Sequence, residues 1–175
     1  MRWLLVTILA YGCLLIERAV FWPGGLAVQV GQDWARPDLV LVAGLFLAFF
    51  FEPRQVFVAG WCLGLASDFA YLTGPLGLKA LLFCLALAAI SALRSELPRT
   101  RIWFQFFAAL VLVFAVHLAW YVIARLAAGA GLWLVRSAEE AILDSLFSAV
   151  LAPYLFWAFT AFRGPLGIAV PSRSK

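Results

Sequence analysis

The chain has 175 residues, 66% hydrophobic and 13% charged, with a formal net charge of +4, a pI near 9.3 and a mean hydropathy of +1.01. Such a hydropathy lies far outside the range of soluble domains, and the Lys and Arg residues sit at the ends of apolar runs rather than along one solvated face, which argues against a nucleic-acid binder. Because the segments between the runs are too short for a soluble domain, residues 1–175 read as a single polytopic transmembrane domain, an all-α integral membrane protein with six spans.

The first span is predicted over residues 3–22. It lacks the short apolar centre and small-x-small site of a cleavable signal, so it reads as retained. Glu17 and Arg18 lie inside it. As neighbours they point about 100° apart on a helix and cannot pair with each other, so each is a candidate for an ion pair with another element or for the headgroups. The stretch from Pro23 to Pro37 carries the polar residues Gln29, Gln32, Asp33 and Trp34.

The second span, 38–51, is short for a bilayer. It is expected to tilt into a partner helix or to continue through Glu52-Pro53-Arg54, with Pro37 in its first turn, where a missing N–H costs nothing. The third span, 55–72, holds Gly60, Gly64 and Asp68 at i, i+4, i+8. These form one narrow stripe with Ser67 at its edge, a surface another backbone can approach closely.

A carboxylate costs roughly 2.5–3.5 kcal/mol at mid-bilayer, so Asp68 is expected to face protein or water. Water or backbone N–H groups of the turn Thr73-Gly74-Pro75-Leu76-Gly77 and of the next helix can satisfy it, and Lys79 across that turn is a candidate ion-pair partner. The fourth span is predicted over 76–93.

The fifth span, 102–127, opens on Trp103, Phe104, Phe106 and Phe107 behind the basic stretch Arg94–Arg101, the pattern of an interfacial anchor. It contains the sole histidine, His117, for which a hydrogen-bonded packing role is expected, because metal binding would need companions that are absent. The sixth span is predicted over 141–162. Arg125 and Arg136, near span ends, are expected to snorkel, and Cys13, Cys62 and Cys84 read as small buried hydrophobes.

With Arg18 set aside inside its span, Arg2, Arg54, Arg94, Arg99, Arg101, Arg163, Arg173 and Lys175 fall on the side of the N-terminus. Arg36, Lys79, Arg125 and Arg136 fall opposite, so the positive-inside tendency puts both termini in the cytoplasm. No nucleophile elbow, zinc-helix motif or phosphate-binding loop is present, and catalysis is not expected. No metal or other cofactor is expected either.

The order Arg36-Pro37-Asp38-Leu39-Val40-Leu41, a short apolar helix, a break at Pro53, then Gly60-Trp61-x-x-Gly64-x-x-x-Asp68 and Leu76-Gly77, resembles MreD, the rod shape-determining membrane protein family. Trp61 stands where a phenylalanine is common. The resemblance implies a fold like the S-component of energy-coupling-factor transporters and a non-enzymatic scaffold of the bacterial cell-elongation complex in the inner membrane. The implied partners are an MreC-like bitopic protein and, through it, the RodA glycosyltransferase, a class B penicillin-binding protein and MreB, in support of side-wall peptidoglycan synthesis.

Pro37, Gly60, Gly64, Asp68, Leu76 and Gly77 match the family pattern. With Ser67 they are the candidates for partner binding or helix packing. The alternative reading is a small-solute, vitamin-binding subunit of a transporter, which would need convergent polar groups on the outer side. There Gln29, Gln32, Asp33, Trp34 and Asp68 are the candidates.

Overall fold

The computed structural model describes residues 2–21, 28–30, 33–71, 75–94, 97–98, 101–127, 129 and 134–161. Among them are the helices α1 (Arg2–Val20), α2 (Leu39–Phe50), α3 (Pro53–Tyr71), α4 (Leu78–Leu93), α5 (Ile102–Ala127) and α6 (Leu134–Ala161), and the short strands β1 (Val28–Val30) and β2 (Asp33–Ala35). Among the described residues the regular structure is therefore helical but for one antiparallel hairpin, which pairs Val28 with Ala35, Gln29 with Trp34 and Val30 with Asp33. Two helices, α5 and the stretch Ala138–Ala161 of α6, are long and apolar enough to cross a membrane, as a membrane protein requires.

The second helix is the post around which the others stand. It is 12 residues long, hence about 18 Å, well short of a bilayer core of about 30 Å. It does not run on through Glu52-Pro53-Arg54: Phe51 adopts an extended backbone at its C-cap, and Pro53 opens α3 at the first helical position, where its missing N–H is harmless. Nor does Pro37 lie in its first turn. Asp38 is the N-cap, because its Oδ1 accepts the Leu41 N–H at 2.7 Å, so the helix starts after Pro37.

Every residue from Leu39 to Phe49 is buried, which suits a helix apolar all round and enclosed by protein. Its lower end sits among aromatic rings. Phe46 packs edge-on against Phe156 at 5.4 Å and Phe159 at 5.3 Å, and Phe49 meets Phe104 at 5.9 Å. Arg94 closes this end by donating to the Phe51 carbonyl.

The glycine stripe of α3 is used within the chain. A Cβ on Gly64 would lie 2.3 Å from the Ala80 Cα, and one on Gly60 3.2 Å from the Cys84 Cα, so α4 occupies the seam at backbone distance. The connection between these helices turns at Gly77, whose φ of 89° is the left-handed region that favours glycine. Asp68, buried at 7% exposure, seals that turn: its Oδ2 accepts the N–H groups of Gly77 at 2.9 Å and Ala80 at 3.3 Å, an anion at a helix start. Ser67 is buried beside it, while Leu76 is exposed.

A polar cavity at the N-terminal end of the central helix

The short α2 leaves room at its N-terminal end, where the protein forms a half-open cavity of about 250 Å3. Its wall is built from all sides. Asp38 comes from the cap of α2, Glu17 from the last turns of α1, Lys79 from the first turn of α4, His117 from α5 and Asp144 from α6, with Arg36 entering from the end of β2. Tyr71, Trp120 and Tyr121 supply aromatic surfaces.

His117 is the hub. Its Nε2 lies 3.0 Å from Asp38 Oδ2 and its Nδ1 3.2 Å from Asp144 Oδ2, with the three side chains exposed by only 13%, 6% and 10%. Ionised carboxylates only accept, so the ring that satisfies both is the one bearing a proton on each nitrogen.

The remaining carboxylate oxygens are engaged too. Asp144 Oδ1 accepts the Arg36 backbone N–H at 2.9 Å, tying the end of the hairpin to α6, and its Oδ2 also accepts from the Tyr121 hydroxyl at 3.1 Å. Glu17 accepts the Leu39 N–H at 3.2 Å with one oxygen and the Tyr71 hydroxyl with the other. Ser148 accepts the Asp38 N–H at 2.9 Å and donates to the Asp144 carbonyl at 2.7 Å. The free backbone N–H groups at the start of α2 are thus met by side chains from α1, α6 and Asp38 itself.

Three of the sequence candidates meet in this cavity: Glu17 and Lys79 line it, and Pro37 forms part of its wall. Arg18 lies over the ring of Tyr71, 5.5 Å from its centroid. Asp68 is not brought to Lys79. The carboxylate is held by backbone N–H groups, and the Lys79 ammonium lies over the rings of Tyr71 at 4.9 Å and Trp120 at 5.2 Å.

Gly60, Gly64 and Ser67 belong to the α3–α4 seam and its surroundings rather than to the cavity. Of the polar residues in the hairpin stretch, Gln29, Asp33 and Trp34 occupy strand positions and Gln32 lies outside the described residues. Cys13 and Cys84 are buried, but Cys62 is on an exposed face of α3. Trp103 and Phe107, at the start of α5, are exposed at 76% and 54%, while Phe104 turns inward to Phe49.

The residues that sequence reasoning missed are Asp38 and Asp144 as partners of His117. A signal exists: His117 and Tyr121, like Asp144 and Ser148, are polar pairs at i, i+4 within the apolar stretches of α5 and α6, each pair on one helix face.

The fold and the cavity define a helical membrane-type protein whose buried carboxylates, among the described residues, lie at one end of an apolar bundle. A family model described as rod shape-determining protein MreD matches residues 1–162, and the chain belongs to that family. MreD is a membrane protein family with a role in rod shape determination, not a known enzyme family. Searches of curated proteins and of solved structures return no match.

Proposed function

We propose that the chain is a non-catalytic scaffold of the cell-elongation machinery in the bacterial inner membrane, a six-span bundle with both termini in the cytoplasm. In this reading it holds the transmembrane helix of an MreC-like bitopic protein and through it the RodA glycosyltransferase, a class B penicillin-binding protein and MreB, in support of side-wall peptidoglycan synthesis. The family match over residues 1–162 carries the proposal. An S-component-like arrangement of the helices is part of it.

The geometry supports a particular docking face. The Gly60/Gly64 stripe is filled by α4, so a partner helix needs another surface. An apolar groove of about 680 Å3 runs between the start of α5 and the end of α6, lined by Phe106, Val150, Pro153, Tyr154 and Trp157. Pro153 stands inside α6, where it removes a helix hydrogen bond, and it lines the groove. Trp157 at 79% and Tyr154 at 70% exposure offer the large aromatic contacts favoured at interfaces.

Co-purification in detergent with the MreC-like partner tests the reading. Val150→Trp fills the groove from an exposed position and is expected to abolish partner recovery and rod-shape complementation while leaving the protein folded. Leu85→Trp, exposed on α4, is expected to change neither. Undiminished recovery with Val150→Trp removes the groove as the docking face, and loss of shape control with the complex intact removes the scaffold reading itself.

A further inference from the structure

The cavity at the N-terminal end of α2 is asymmetric in its unspent hydrogen-bonding capacity. Its acceptors are engaged: both oxygens of Glu17, Asp38 and Asp144 take N–H or O–H groups of the protein. Its donors are not. The Lys79 ammonium touches only ring faces. Among the described residues neither it nor the Arg36 guanidinium has a carboxylate within 4.0 Å or a side-chain hydrogen bond. The indole nitrogen of Trp120, on the same wall, is buried without an acceptor among the described residues.

The charges are arranged to match. His117 lies between Asp38 and Asp144, which leaves Arg36 and Lys79 as the cations of this wall without a carboxylate partner among the described residues. The carboxylates are turned toward the bundle and its backbone. Lys79, half-buried above Tyr71 and Trp120, remains a fixed positive point with three N–H donors. Holding an ammonium over two rings orders it without using any of those donors on a carboxylate.

We propose that this cavity is a binding site for an anionic head, a carboxylate or phosphate group, with Lys79 as its principal donor and Arg36 as the second. The rings of Tyr71 and Trp120 hold Lys79 in place and flank the bound group. A volume of about 250 Å3 takes a small acid or a lipid headgroup and excludes a folded partner. The proposal is independent of the scaffold reading, because the groove between α5 and α6 lies at the other end of the bundle.

The test uses the purified full chain in lipid nanodiscs. In phosphatidylcholine discs, inorganic phosphate and benzoate are titrated calorimetrically. In phosphatidylglycerol discs, retained lipid is read by native mass spectrometry. Lys79→Gln is expected to weaken binding roughly tenfold, the loss of one charge-assisted contact, while Lys79→Arg keeps most of it. Arg125→Gln, a cation outside the cavity, is expected to change nothing.

Saturable, Lys79-dependent binding of phosphate or benzoate identifies a free solute. Lys79-dependent retention of one phosphatidylglycerol with no solute binding identifies a headgroup. If Lys79→Gln does not fold, Arg36→Gln is read in the same two arms. Binding that is absent from both arms, indifferent to both cavity cations, or equally sensitive to Arg125→Gln overturns the proposal.

Discussion

The two ends of α2 solve the same problem in opposite ways. At the lower end the helix stops at Phe50 among the rings of Phe46, Phe49, Phe104, Phe156 and Phe159, and a single donor, Arg94, closes the carbonyl of Phe51. At the upper end its first N–H groups are met by Glu17, Ser148 and the cap Asp38, and a charged cluster centred on His117 locks four helices together. Lipid tails are as apolar as phenylalanine, so apart from the Arg94 bond the lower end gains from packing, whereas the upper end is held by bonds whose loss strands a buried charge.

The sharpest way to break this contrast is His117→Leu. It leaves Asp38 Oδ2 without its partner and Asp144 Oδ2 with only the Tyr121 hydroxyl, and is expected to cost about 3–5 kcal/mol, read by thermal unfolding in detergent. Adding Asp38→Leu and Asp144→Leu should recover part of the loss, because an apolar set of similar size tolerates burial better than an unpaired charge. A single His117→Leu protein as stable as the parent would mean that the cluster is wet and that the contrast between the two ends is false.

At the lower end Phe46→Ala is expected to cost roughly 2 kcal/mol, less than the 3–5 of a soluble core, since lipid replaces the water that supplies the transfer term there. Phe46 is fully buried, so the same unfolding measurement reads it cleanly. A cost equal to that of His117→Leu would erase the distinction drawn between packing and bonding.

Ser148→Ala sharpens the upper end from within. It removes the acceptor of the Asp38 N–H and should cost about 1–2 kcal/mol, with faster hydrogen exchange at that amide and none of the change spreading to Phe51. Unaltered exchange at Asp38 would show that the serine is incidental to the cap.

How much of this is legible in the sequence depends on the distance over which a rule acts. Hydropathy locates the helices, and α5 spans the residues expected for it, because an apolar stretch between basic ends has one economical conformation in lipid. The stripe Gly60, Gly64, Asp68 is readable as one helix face because the helix period is fixed, but not that α4 fills it.

The brevity of α2 is visible as well, though its consequence is not. Whether a short helix tilts, extends or becomes an enclosed post depends on neighbours far away in sequence. Likewise His117 lies 79 residues from Asp38 and 27 from Asp144, and no local pattern joins them.

The hairpin went unread although Val28-Gln29-Val30 alternates before Gly31-Gln32, a two-residue turn signal. α6 begins at Leu134, ahead of the apolar span expected from 141, because its first turns are polar and hydropathy is blind to them.

The smallest expected effect separates charge from burial. Arg125 and Glu140 join α5 to α6 near the same end as the cavity, with Nη2 3.1 Å from Oε1, but they are exposed by 24% and 18% and lie outside the His117 cluster. An ion pair in contact with water gains little, because hydration of the separated charges nearly matches their attraction, so Glu140→Gln should cost about 0.5 kcal/mol and lose even that in high salt. The comparison with His117→Leu is then between two sets of charges that both bridge α5 and α6 and differ in their access to solvent and in the tie to Asp38 at the cap of α2. If Glu140→Gln unfolds the protein as readily as His117→Leu, charge alone sets the strength of the upper end and the enclosure around α2 adds nothing to it.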